Sequence, residues 1–526
     1  MRGYQFLKKS NKLDLIATIQ NELTNTHLGR IDCNASKLFF GAGILQAELI
    51  VRQYLLARIG GIGLIKSLLC SLGAKGAPIV YPMPKLWQQM VAKHGFSVAR
   101  VRCSLAWIGY VGIFWGYGVL STVRYFCVSL WEIIRAHSSV LNRYVYFVGL
   151  TSGNLPQPCS DGRSHDIVTW YIRWKARVEH IDVFYHGVAN AKVCNVDGFP
   201  VVFSPYPIPP LDTLVGLVRF SAWALAAVSC SFLDLFRGRW WHGILLAESI
   251  HAAMVRFQVT DKLAQDYVFH NSATIYRPLW TYEVEDKGMR ITSYFYSTNT
   301  EGFKRQNGYP IQVGSWQAMN WPLYLVWDEY QADFVRRAVG KTTNIKVVGP
   351  IWFYADPVQM PKLPFGSVAV FDVQPHRSSR YQILGAPQEY YVPKTANQFL
   401  LDIHAVIQEC KGTMVHKRKR NIGKMLHPQY KALVKNLSNS EDVFSIEPDT
   451  SAIRVIESCS AVISMPFTST ALLGRELGKF SVYYDPYGFV QKDDRAAHGI
   501  PVLCGKDELR DWLTGIFESS GNVYTR

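Results

Sequence analysis

The sequence predicts an α/β protein with two doubly wound domains that face each other across a cleft. Short apolar runs bounded by polar residues alternate with amphipathic segments, which is typical of parallel sheets covered by helices. The alternation is clear over residues 266–350 and restarts downstream, after three prolines and a glycine within residues 355–366. We therefore expect an N-terminal domain over 1–355, a linker over 356–366 and a C-terminal domain over 367–526.

Each element is predicted from its own pattern. A strand is expected where a short run of apolar or β-branched residues lies between polar or glycine signals, and a helix where apolar residues recur every three or four positions. Glycine just past the last turn marks helix ends, as at Gly288 and Gly340. The predicted strands are 78–83, 96–103, 143–150, 181–188, 266–272, 289–298, 322–328, 344–350, 366–373, 412–416, 443–447, 461–465, 480–485 and 500–504. The predicted helices outside the apolar segments described below are 85–95, 274–288, 329–340, 398–410, 451–459 and 468–478.

The charge of the 526-residue chain is uneven. The formal net charge is +16, of which residues 365–526 contribute +2, so residues 1–364 carry +14. With 48% hydrophobic and 18% charged residues, the chain is too apolar to be disordered and too charged for a polytopic transporter. The excess of basic residues indicates an anionic partner, either a membrane surface or a phosphorylated ligand. We expect no nucleic-acid partner, because no nucleic-acid-binding motif accompanies the charge.

Two apolar helical segments in the N-terminal half, residues 103–131 and 213–241, are candidates for membrane contact. Residues 103–123 are uncharged and reach the ~20 residues that a membrane-spanning helix needs. Basic residues flank this stretch on both sides, and Trp240 and Trp241 end the second segment, which favours an interfacial anchor. Two buried core helices are the alternative. Whether residues 103–123 span the bilayer or lie on it is left open by the sequence.

The cysteines predict no metal site. Ten cysteines occur singly, without a Cys-x-x-Cys pair or a His/Cys cluster of zinc spacing. The first residues of the chain are basic but lack the apolar core of a secretory signal. We expect a reduced cytosolic chain whose single cysteines are buried as small apolar residues.

The strongest local signal is a strand that ends at Met465 and a helix that is expected to begin within residues 466–469. Thr468, Ser469 and Thr470 place three hydroxyls beside the backbone N–H groups of the first helical turn. A helix N-terminus at the carboxyl end of a buried strand is suited to bind an anion. Since an N-cap needs only one hydroxyl, we expect a phosphate site here, with Thr468 as the cap.

A second predicted strand ends in a basic run, residues 416–420. In a parallel sheet this loop reaches the same edge as the helix start described above. Arginine can bind two phosphate oxygens in a fork, and a solvated basic loop is the alternative. The residues expected to contact phosphate are His416, Lys417, Arg418 and Arg420.

An aromatic cluster over residues 277–331 suits a sugar, because the C–H faces of sugars stack on rings and their hydroxyls need polar partners. Most of these aromatics are expected in the core, which leaves the polar residues at strand ends for function. Carboxylates that directly follow a strand are candidates for a general base. The candidate catalytic residues are Asp328, Glu329 and Asp372, and the candidate sugar-acceptor residues are Asn271, Arg277 and Asn299.

Five motifs together resemble a known family: SYFYSTN, NWPLYLVWDEYQ, VVGPIW, VFDVQPHR and ISMPFTSTALLGRELGKFSVYYDP. Over residues 245–515 the chain is similar to the bacterial polysaccharide-biosynthesis proteins known by their PFTS motif. The resemblance implies a glycosyltransferase with two Rossmann-like domains in the GT-B arrangement.

The C-terminal domain is also similar in layout to the capsule Kdo transferases and bacterial sialyltransferases. Those enzymes hold a CMP-sugar between a basic or His-Pro loop and a Ser/Thr pair, and residues 416–420 and 468–470 fall at the corresponding places. The resemblance departs in two places, because Lys417 replaces the proline and Leu473 stands where many GT-B enzymes have a carboxylate. The donor nucleotide is therefore left open.

Two functions are compatible with the sequence. The first is a peripheral or monotopic glycosyltransferase at the cytoplasmic face of the bacterial inner membrane, which moves a sugar from a nucleotide-sugar to a glycan or lipid-linked acceptor without a metal or other cofactor. The second is a non-catalytic membrane scaffold of a polysaccharide-assembly system. A scaffold has no need to combine a basic loop, three hydroxyls and strand-end carboxylates around one cleft, which favours the enzyme.

Overall fold

The chain builds two largely parallel sheets with helices between successive strands, which confirms the predicted α/β class. The computed structural model describes residues 2–521 except for 13, 30, 32–33, 136–142, 157–165, 177–179, 192, 271–274, 296–302, 305, 307, 310–314, 352–359, 365, 377–389, 419–422 and 449. The strands are β1 (Tyr144–Val148), β2 (Val183–His186), β3 (Cys194–Val196), β4 (Phe199–Phe203), β5 (Asp266–His270), β6 (Arg290–Tyr294), β7 (Leu323–Val326), β8 (Ile345–Val347), β9 (Ser367–Phe371), β10 (Thr413–Lys417), β11 (Val443–Ile446), β12 (Ala461–Ser464), β13 (Phe480–Asp485) and β14 (Val502–Cys504).

The α-helices of the described residues are most numerous before the first strand and between β4 and β5. They are α1 (Arg2–Lys9), α2 (Leu15–Asn25), α3 (Asn34–Phe40), α4 (Ala47–Arg58), α5 (Ile62–Gly73), α6 (Lys85–Lys93), α7 (Arg100–Arg135), α8 (Ile167–Tyr171), α9 (Leu214–Phe236), α10 (Trp240–Phe257), α11 (Trp280–Asp286), α12 (Glu329–Ala338), α13 (Pro393–Glu409), α14 (Pro428–Leu437), α15 (Ala452–Glu457), α16 (Ser469–Glu476) and α17 (Gly505–Gly521).

Both sheets are doubly wound. The first has the strand order β3-β4-β2-β1-β5-β6-β7-β8, with β3 antiparallel to β4, and the second has the parallel order β11-β10-β9-β12-β13-β14. In each sheet the chain starts at an inner strand, builds one side, and then crosses back over the starting strand to build the other side. The crossing leaves a switch point between β1 and β5, and a second one between β9 and β12, where crevices form at the carboxyl ends of the strands.

The two sheets fall on either side of the predicted linker. The first ends at Val347 and the second begins at Ser367. One buried apolar cluster contains side chains of both sheets, including Val145 and Leu325 from the first and Val370 from the second. The sheets therefore share a core. The exact division into domains stays a prediction.

The predicted strands 78–83 and 96–103 are wrong. They contribute one isolated bridge, between Ile79 and Val98, and α7 then begins at Arg100. Val98 and Val101 favoured a strand, but from Arg100 onwards the chain is helical and leaves Val101 exposed. The buried side chains at the start of α7 recur every four positions, at Cys103, Trp107 and Val111.

The apolar segments are helical, as predicted, although the second is not one helix. Residues 103–131 lie within α7, whereas residues 213–241 break after Phe236, where Gly238 takes a positive φ of 74° and α10 starts at Trp240. The helix predicted over 274–288 is likewise shorter, since α11 begins only after Pro278.

Two of these helices are long and apolar enough to cross a membrane. They are α7 and α9, with mean hydropathies of 1.4 and 1.6 in their most apolar stretches. The bent pair Ala35–Arg58 and Ile62–Gly73 passes the same test if it is counted as one span.

Glycines let α7 and α9 approach α10 closely. A Cβ placed on Gly118 of α7 would lie 2.7 Å from the Leu246 Cβ, and one on Gly243 of α10 would lie 2.9 Å from Leu235 of α9. Side chains at these positions would force the helices apart, because interiors are close-packed. The three helices therefore form one tightly packed layer.

We expect Gly118→Ala to destabilise the fold relative to Gly112→Ala. Both changes gain the same helix propensity, about 1 kcal/mol, but only the first creates a contact, since nothing lies within 4 Å of a Cβ on Gly112. Overpacking should make the free energy of unfolding of Gly118→Ala lower than that of Gly112→Ala by about 1–3 kcal/mol in urea titrations. Equal stabilities would contradict this packing.

Candidate functional site

The switch point of the second sheet brings the two predicted phosphate-binding loops to one edge. Phe371, the last residue of β9, pairs with Lys417 of β10 on one side and with Ser464 of β12 on the other. Neighbouring strands are about 4.8 Å apart, so the ends of β10 and β12 are separated by only about 10 Å. The loops that follow these strands therefore start close together, as the sequence predicted.

The turn that leads from β12 into α16 is strained and firmly held. Phe467 lies in the left-handed region, with a φ of 58°, which costs a residue other than glycine about 1–3 kcal/mol. The hydroxyl of Tyr391 donates to the Pro466 carbonyl at 2.7 Å, and that of Tyr483 donates to the Thr468 carbonyl at 3.0 Å. Strain that is held in place by such contacts is typical of functional turns.

The three hydroxyls of this turn have different partners. Thr468 occupies the N-cap position, as predicted, but its hydroxyl donates to the Met465 carbonyl at 2.8 Å and does not cap the helix. The Thr470 hydroxyl lies 2.8 Å from that of Ser464. Ser469 is half-buried at the first position of α16. The helix therefore begins without a side-chain cap, which leaves its positive dipole end available to an anion.

Asp372 and His416 form a buried polar pair at the same edge. Asp372 directly follows β9, and its Oδ2 accepts a hydrogen bond from the Tyr430 hydroxyl and lies 3.5 Å from the His416 Nε2. Both residues are only 2% exposed, yet the Asp372 Oδ1 and the His416 Nε2 make no hydrogen bond within the described structure. Burial, followed by the charge of Asp372, raises the pKa of Tyr430 well above its ordinary value. Buried polar atoms without partners are expected where a ligand binds.

The residues of the basic run, which begins at the end of β10, have different surroundings. Lys417 is buried, and its Nζ donates to the Pro448 carbonyl at 2.9 Å, so it helps to hold β10 in place. Arg418 is half-buried next to the site, and its charge acts on Tyr430. Arg420 lies outside the described residues. Among the described lysines and arginines of this run, Arg418 is therefore the one that stays a candidate for phosphate contact.

Asp328 joins the two sheets. Its Oδ1 caps α12 by accepting from the Gln331 N–H at 2.9 Å, and its Oδ2 lies 2.7 Å from the His498 Nδ1 and 3.6 Å from Arg475 of α16. Burial alone would raise the pKa of Asp328, but the hydrogen bond and charge of His498, the Gln331 amide and the Arg475 charge together lower it. A carboxylate that is stabilised in this way is a weak proton acceptor, so the geometry gives Asp328 a connecting role.

A second contact between the sheets covers the strained turn. Phe303, from the segment after β6, stacks on Phe467 with ring centroids 5.0 Å apart. The Lys304 N–H donates to an Asp494 carboxylate oxygen at 2.8 Å, and the guanidinium of Arg495 lies 3.8 Å from the centroid of the Tyr309 ring. The segments that follow the carboxyl ends of β6 and β7 therefore meet those of β12 and β13, which is the predicted facing arrangement.

The remaining predicted residues lie apart from this edge or outside the described chain. Glu329 is exposed and pairs with Arg336 at 3.4 Å. Arg277 is buried, and its guanidinium lies over the Tyr282 ring. Its N–H groups are used in structural contacts, with Thr281, the Asn320 carbonyl and Glu285. Asn271 and Asn299 lie outside the described residues.

Two histidines at the carboxyl edge of the first sheet escaped prediction. His270 ends β5 and stacks on Tyr294 with ring centroids 5.6 Å apart, and burial lowers its pKa to about 4. His186 ends β2, and burial lowers its pKa as well. Both imidazoles are therefore neutral near pH 7. Their position at strand ends could have marked them as candidate site residues, but the apolar residues around them indicated strands of the core.

A buried chain of Ser36, His242 and Asp234 has the order of a nucleophile relay. The Ser36 Oγ lies 3.0 Å from the His242 Nε2, and the His242 Nδ1 lies 2.7 Å from the Asp234 Oδ2. All three residues are at most 1% exposed, and the Ser36 hydroxyl also donates to the Ile31 carbonyl. A serine hydroxyl has one proton, and Ser36 donates it to the Ile31 carbonyl and not to His242, so this chain is a structural link between α3, α9 and α10.

The fold and the edge of the second sheet together define a class: an α/β protein with two doubly wound sheets and an uncapped helix start at the switch point of the second sheet. The profile of the polysaccharide biosynthesis PFTS motif proteins matches residues 223–513, which is more than half of the chain. The chain therefore belongs to this family. None of the curated proteins compared with the sequence matches it.

Several solved structures match the chain at low similarity. UDP-GlcNAc 2-epimerase from Methanocaldococcus jannaschii is 9% identical, with a TM-score of 0.35 over 72% of this chain and 92% of its own. Arabidopsis thaliana UGT89C1 complexed with UDP-L-rhamnose is 10% identical, with a TM-score of 0.37 over 72% and 90%. Anabaena Alr3699/HepE in complex with UDP and glucose is 10% identical, with a TM-score of 0.36 over 72% and 91%. These similarities are too low to transfer residue roles or substrates.

We expect Asp328→Asn to lower the free energy of unfolding at pH 7 by about 1–3 kcal/mol, because it leaves His498 and Arg475 without their anion while asparagine still caps α12. The folded-state pKa of Asp328 is lowered, so its stabilisation is present above the ordinary pKa, about 3.9, and is lost as the pH falls through the lowered value. The two proteins should therefore begin to converge in stability below about pH 4 and become equal only below the lowered pKa of Asp328.

The control is Asp333→Asn on the same helix, where the carboxylate is exposed and pairs with Arg336 at the surface. It should change the stability by less than about 1 kcal/mol. Denaturant titrations at several pH values check both variants. An Asp328→Asn protein as stable as the wild type at pH 7 would refute the connecting role.

Proposed function

We propose that the chain is a membrane-associated glycosyltransferase of polysaccharide biosynthesis that uses a nucleotide-sugar donor. The acceptor would be a surface polysaccharide or a lipid-linked glycan at the cytoplasmic face of the bacterial inner membrane. A CMP-sugar is the first donor to try, because the C-terminal domain resembles transferases that use one. The observation that carries the proposal is the uncapped start of α16 at a switch point, next to the buried pair Asp372 and His416.

The donor phosphate would bind at the first turn of α16. The N–H groups and dipole of this turn attract an anion, and the Ser469 hydroxyl can donate a hydrogen bond to it. Arg418 would approach from the end of β10, about 10 Å away across β9. A diphosphate or a nucleotide monophosphate is of a size that bridges this separation.

Transfer would rely on electrostatic stabilisation of the leaving group. The acceptor hydroxyl oxygen attacks the anomeric carbon, and the bond from that carbon to the phosphate oxygen breaks. The bonding electrons leave with the phosphate, whose new charge is stabilised by the helix start and Arg418. We propose that no metal takes part. Within the described residues, no group of three or more His, Cys, Asp and Glu side chains is arranged to hold one.

Of the three predicted carboxylates, we propose Asp372 as the proton acceptor. The Tyr430 hydroxyl fixes its Oδ2, which leaves the Oδ1 to receive the proton of the attacking hydroxyl. The Asp328 carboxylate contacts His498 between the two sheets, and Glu329 is exposed to solvent. Asp372 is also the carboxylate that lies at the switch point, within reach of both phosphate-binding loops.

We expect Ser469→Ala to weaken binding of the nucleotide about 10- to 100-fold, because a hydrogen bond to a charged group contributes about 1.5–3 kcal/mol. The melting temperature without ligand should barely move, since this hydroxyl does not cap α16. Titration calorimetry with CMP-, UDP-, GDP- and dTDP-sugars provides the measurement and identifies the donor.

Ser451→Ala is the matched control, because the Ser451 hydroxyl caps α15 by accepting from the Ile453 N–H at 3.3 Å. It should cost about 1 kcal/mol of stability and leave nucleotide affinity unchanged. If Ser469→Ala instead melts early and binds normally, α16 is an ordinary capped helix. A wild-type protein that binds none of the four donors would favour the scaffold.

The basic loop provides a second test. We expect the double change Arg418→Ala and Arg420→Ala to reduce nucleotide affinity by about two to three powers of ten, since each charge-assisted phosphate contact contributes about 1.5–3 kcal/mol. Lys435→Ala with Arg510→Ala removes two cations elsewhere in the same domain and should leave affinity unchanged. Equal calorimetric affinities for the two double variants would exclude the loop from the site.

A further inference from the structure

An apolar strip runs along the full length of α7. Its large residues are more than one-third exposed, and they lie opposite the side that packs on α10. At 1.5 Å per residue the 36-residue helix is about 54 Å long. The exposed apolar side chains of the strip are Val101, Leu105, Ile108, Ile113, Tyr117, Leu120, Val123, Phe126, Leu130, Trp131 and Ile134.

A second apolar strip, on α9, adjoins the first. Its exposed side chains include Leu225 and Phe232. The two helices meet where the Trp115 Nε1–H of α7 donates to the Ser231 Oγ at 3.0 Å and the Trp115 ring lies 5.5 Å from that of Phe232. A contiguous apolar surface of this extent on a soluble domain marks a contact with another molecule or with a membrane.

α7 packs on α10 over much of the length that a membrane span would need. α7 contacts α10 from Trp107, whose ring lies 5.1 Å from that of Trp240, to Tyr125, whose hydroxyl lies 2.7 Å from the His251 Nε2. The two residues lie 18 positions apart, or about 27 Å along the helix, close to the full thickness of the hydrocarbon layer of about 30 Å. One face of α7 is therefore shielded from lipid along nearly the whole length that would have to cross.

The helix that shields α7 belongs to the interior of the first domain. No residue of α10, which is described over its whole length, is exposed. On its other side α10 packs on α11, and Trp280 of α11 contacts Tyr267 of β5 with ring centroids 4.9 Å apart. If α7 spanned a bilayer, the sheet domain would have to enter it too. The exposed strip of α7 can therefore contact lipid only if the helix lies parallel to the membrane surface.

The charge around the two strips indicates which surface they face. α7 and α9, both described over their whole length, carry no exposed Asp or Glu. The exposed cations at their ends and along their outer faces are Arg100, Arg102, Arg124, Arg135, Arg219 and Arg237. Each basic residue near an anionic lipid surface contributes about 1 kcal/mol to binding. Apolar side chains between arginines are the pattern of a helix that lies in the headgroup region.

We propose that α7 and α9 lie in the plane of an anionic membrane surface, with their exposed strips inserted to the boundary between headgroups and acyl chains. The inference rests on the membrane association in the proposed function and specifies its geometry, without depending on the donor nucleotide. Such docking would hold the cleft at a fixed height above the lipid, where a lipid-linked acceptor presents its sugar.

The depth of single residues in the bilayer tests the geometry. Dansylalanine would replace Leu105, Leu120 or Ile134, one at a time, in the full chain bound to vesicles of phosphatidylcholine with phosphatidylglycerol. Quenching by lipids that carry spin labels at known depths should give the same shallow depth for all three positions. A span predicts different depths, because Leu105 and Ile134 are about 44 Å apart along the helix. Graded depths would overturn the proposal.

Vesicle flotation tests the surface itself. The double change Ile113→Glu and Leu120→Glu should abolish binding to these vesicles, whereas Leu401→Glu with Phe480→Glu, at exposed apolar positions of the other domain, should leave it intact. Calorimetry separates this result from the donor site, since both variants should keep the nucleotide affinity of the wild type. A wild-type protein that ignores the vesicles and sediments as a dimer would show instead that the strips form a subunit interface.

Discussion

The pairing of β9 between β10 and β12 is the constraint on which the site depends. Because Phe371 aligns with Lys417 and Ser464, the chain must leave all three strands at one level of the sheet edge. The crossing from β11 back to β12 opens the crevice at that edge. Parallel register therefore brings residues about fifty positions apart in the chain to one sheet edge, where the ends of β10 and β12 are about 10 Å apart.

The first domain completes the arrangement through contacts at the carboxyl ends of its own strands. Asp328 reaches His498 and Arg475, and Phe303 packs on the strained turn at Phe467. These contacts tie α16 to the opposite sheet, so the position of the helix start depends on both halves of the molecule. The helices that we propose to contact the membrane, α7 and α9, pack on α10 of the first domain.

Structure that follows from patterns repeated over many residues was predictable from the sequence, whereas the contacts of single polar side chains were not. The alternation of strand and helix patterns predicted both sheets, and the motif around Thr468 predicted the turn at the switch point. The predicted strand at 96–103 failed because its second half is the first turn of α7, in which the buried positions follow a helical period from Cys103 onwards. The partners of Asp328 and Arg277 are set by tertiary contacts, and a strand-end position cannot distinguish a catalytic carboxylate from a connecting one.

The most direct measurement of the central claim is a crystal structure of the chain with the nucleotide donor that calorimetry identifies. We expect the phosphate nearest the sugar to accept hydrogen bonds from the first-turn N–H groups of α16 and from the Ser469 hydroxyl, with Arg418 on the opposite side. The sugar should lie towards Asp372. Phosphates bound elsewhere, with the start of α16 contacting only protein or solvent, would contradict the account.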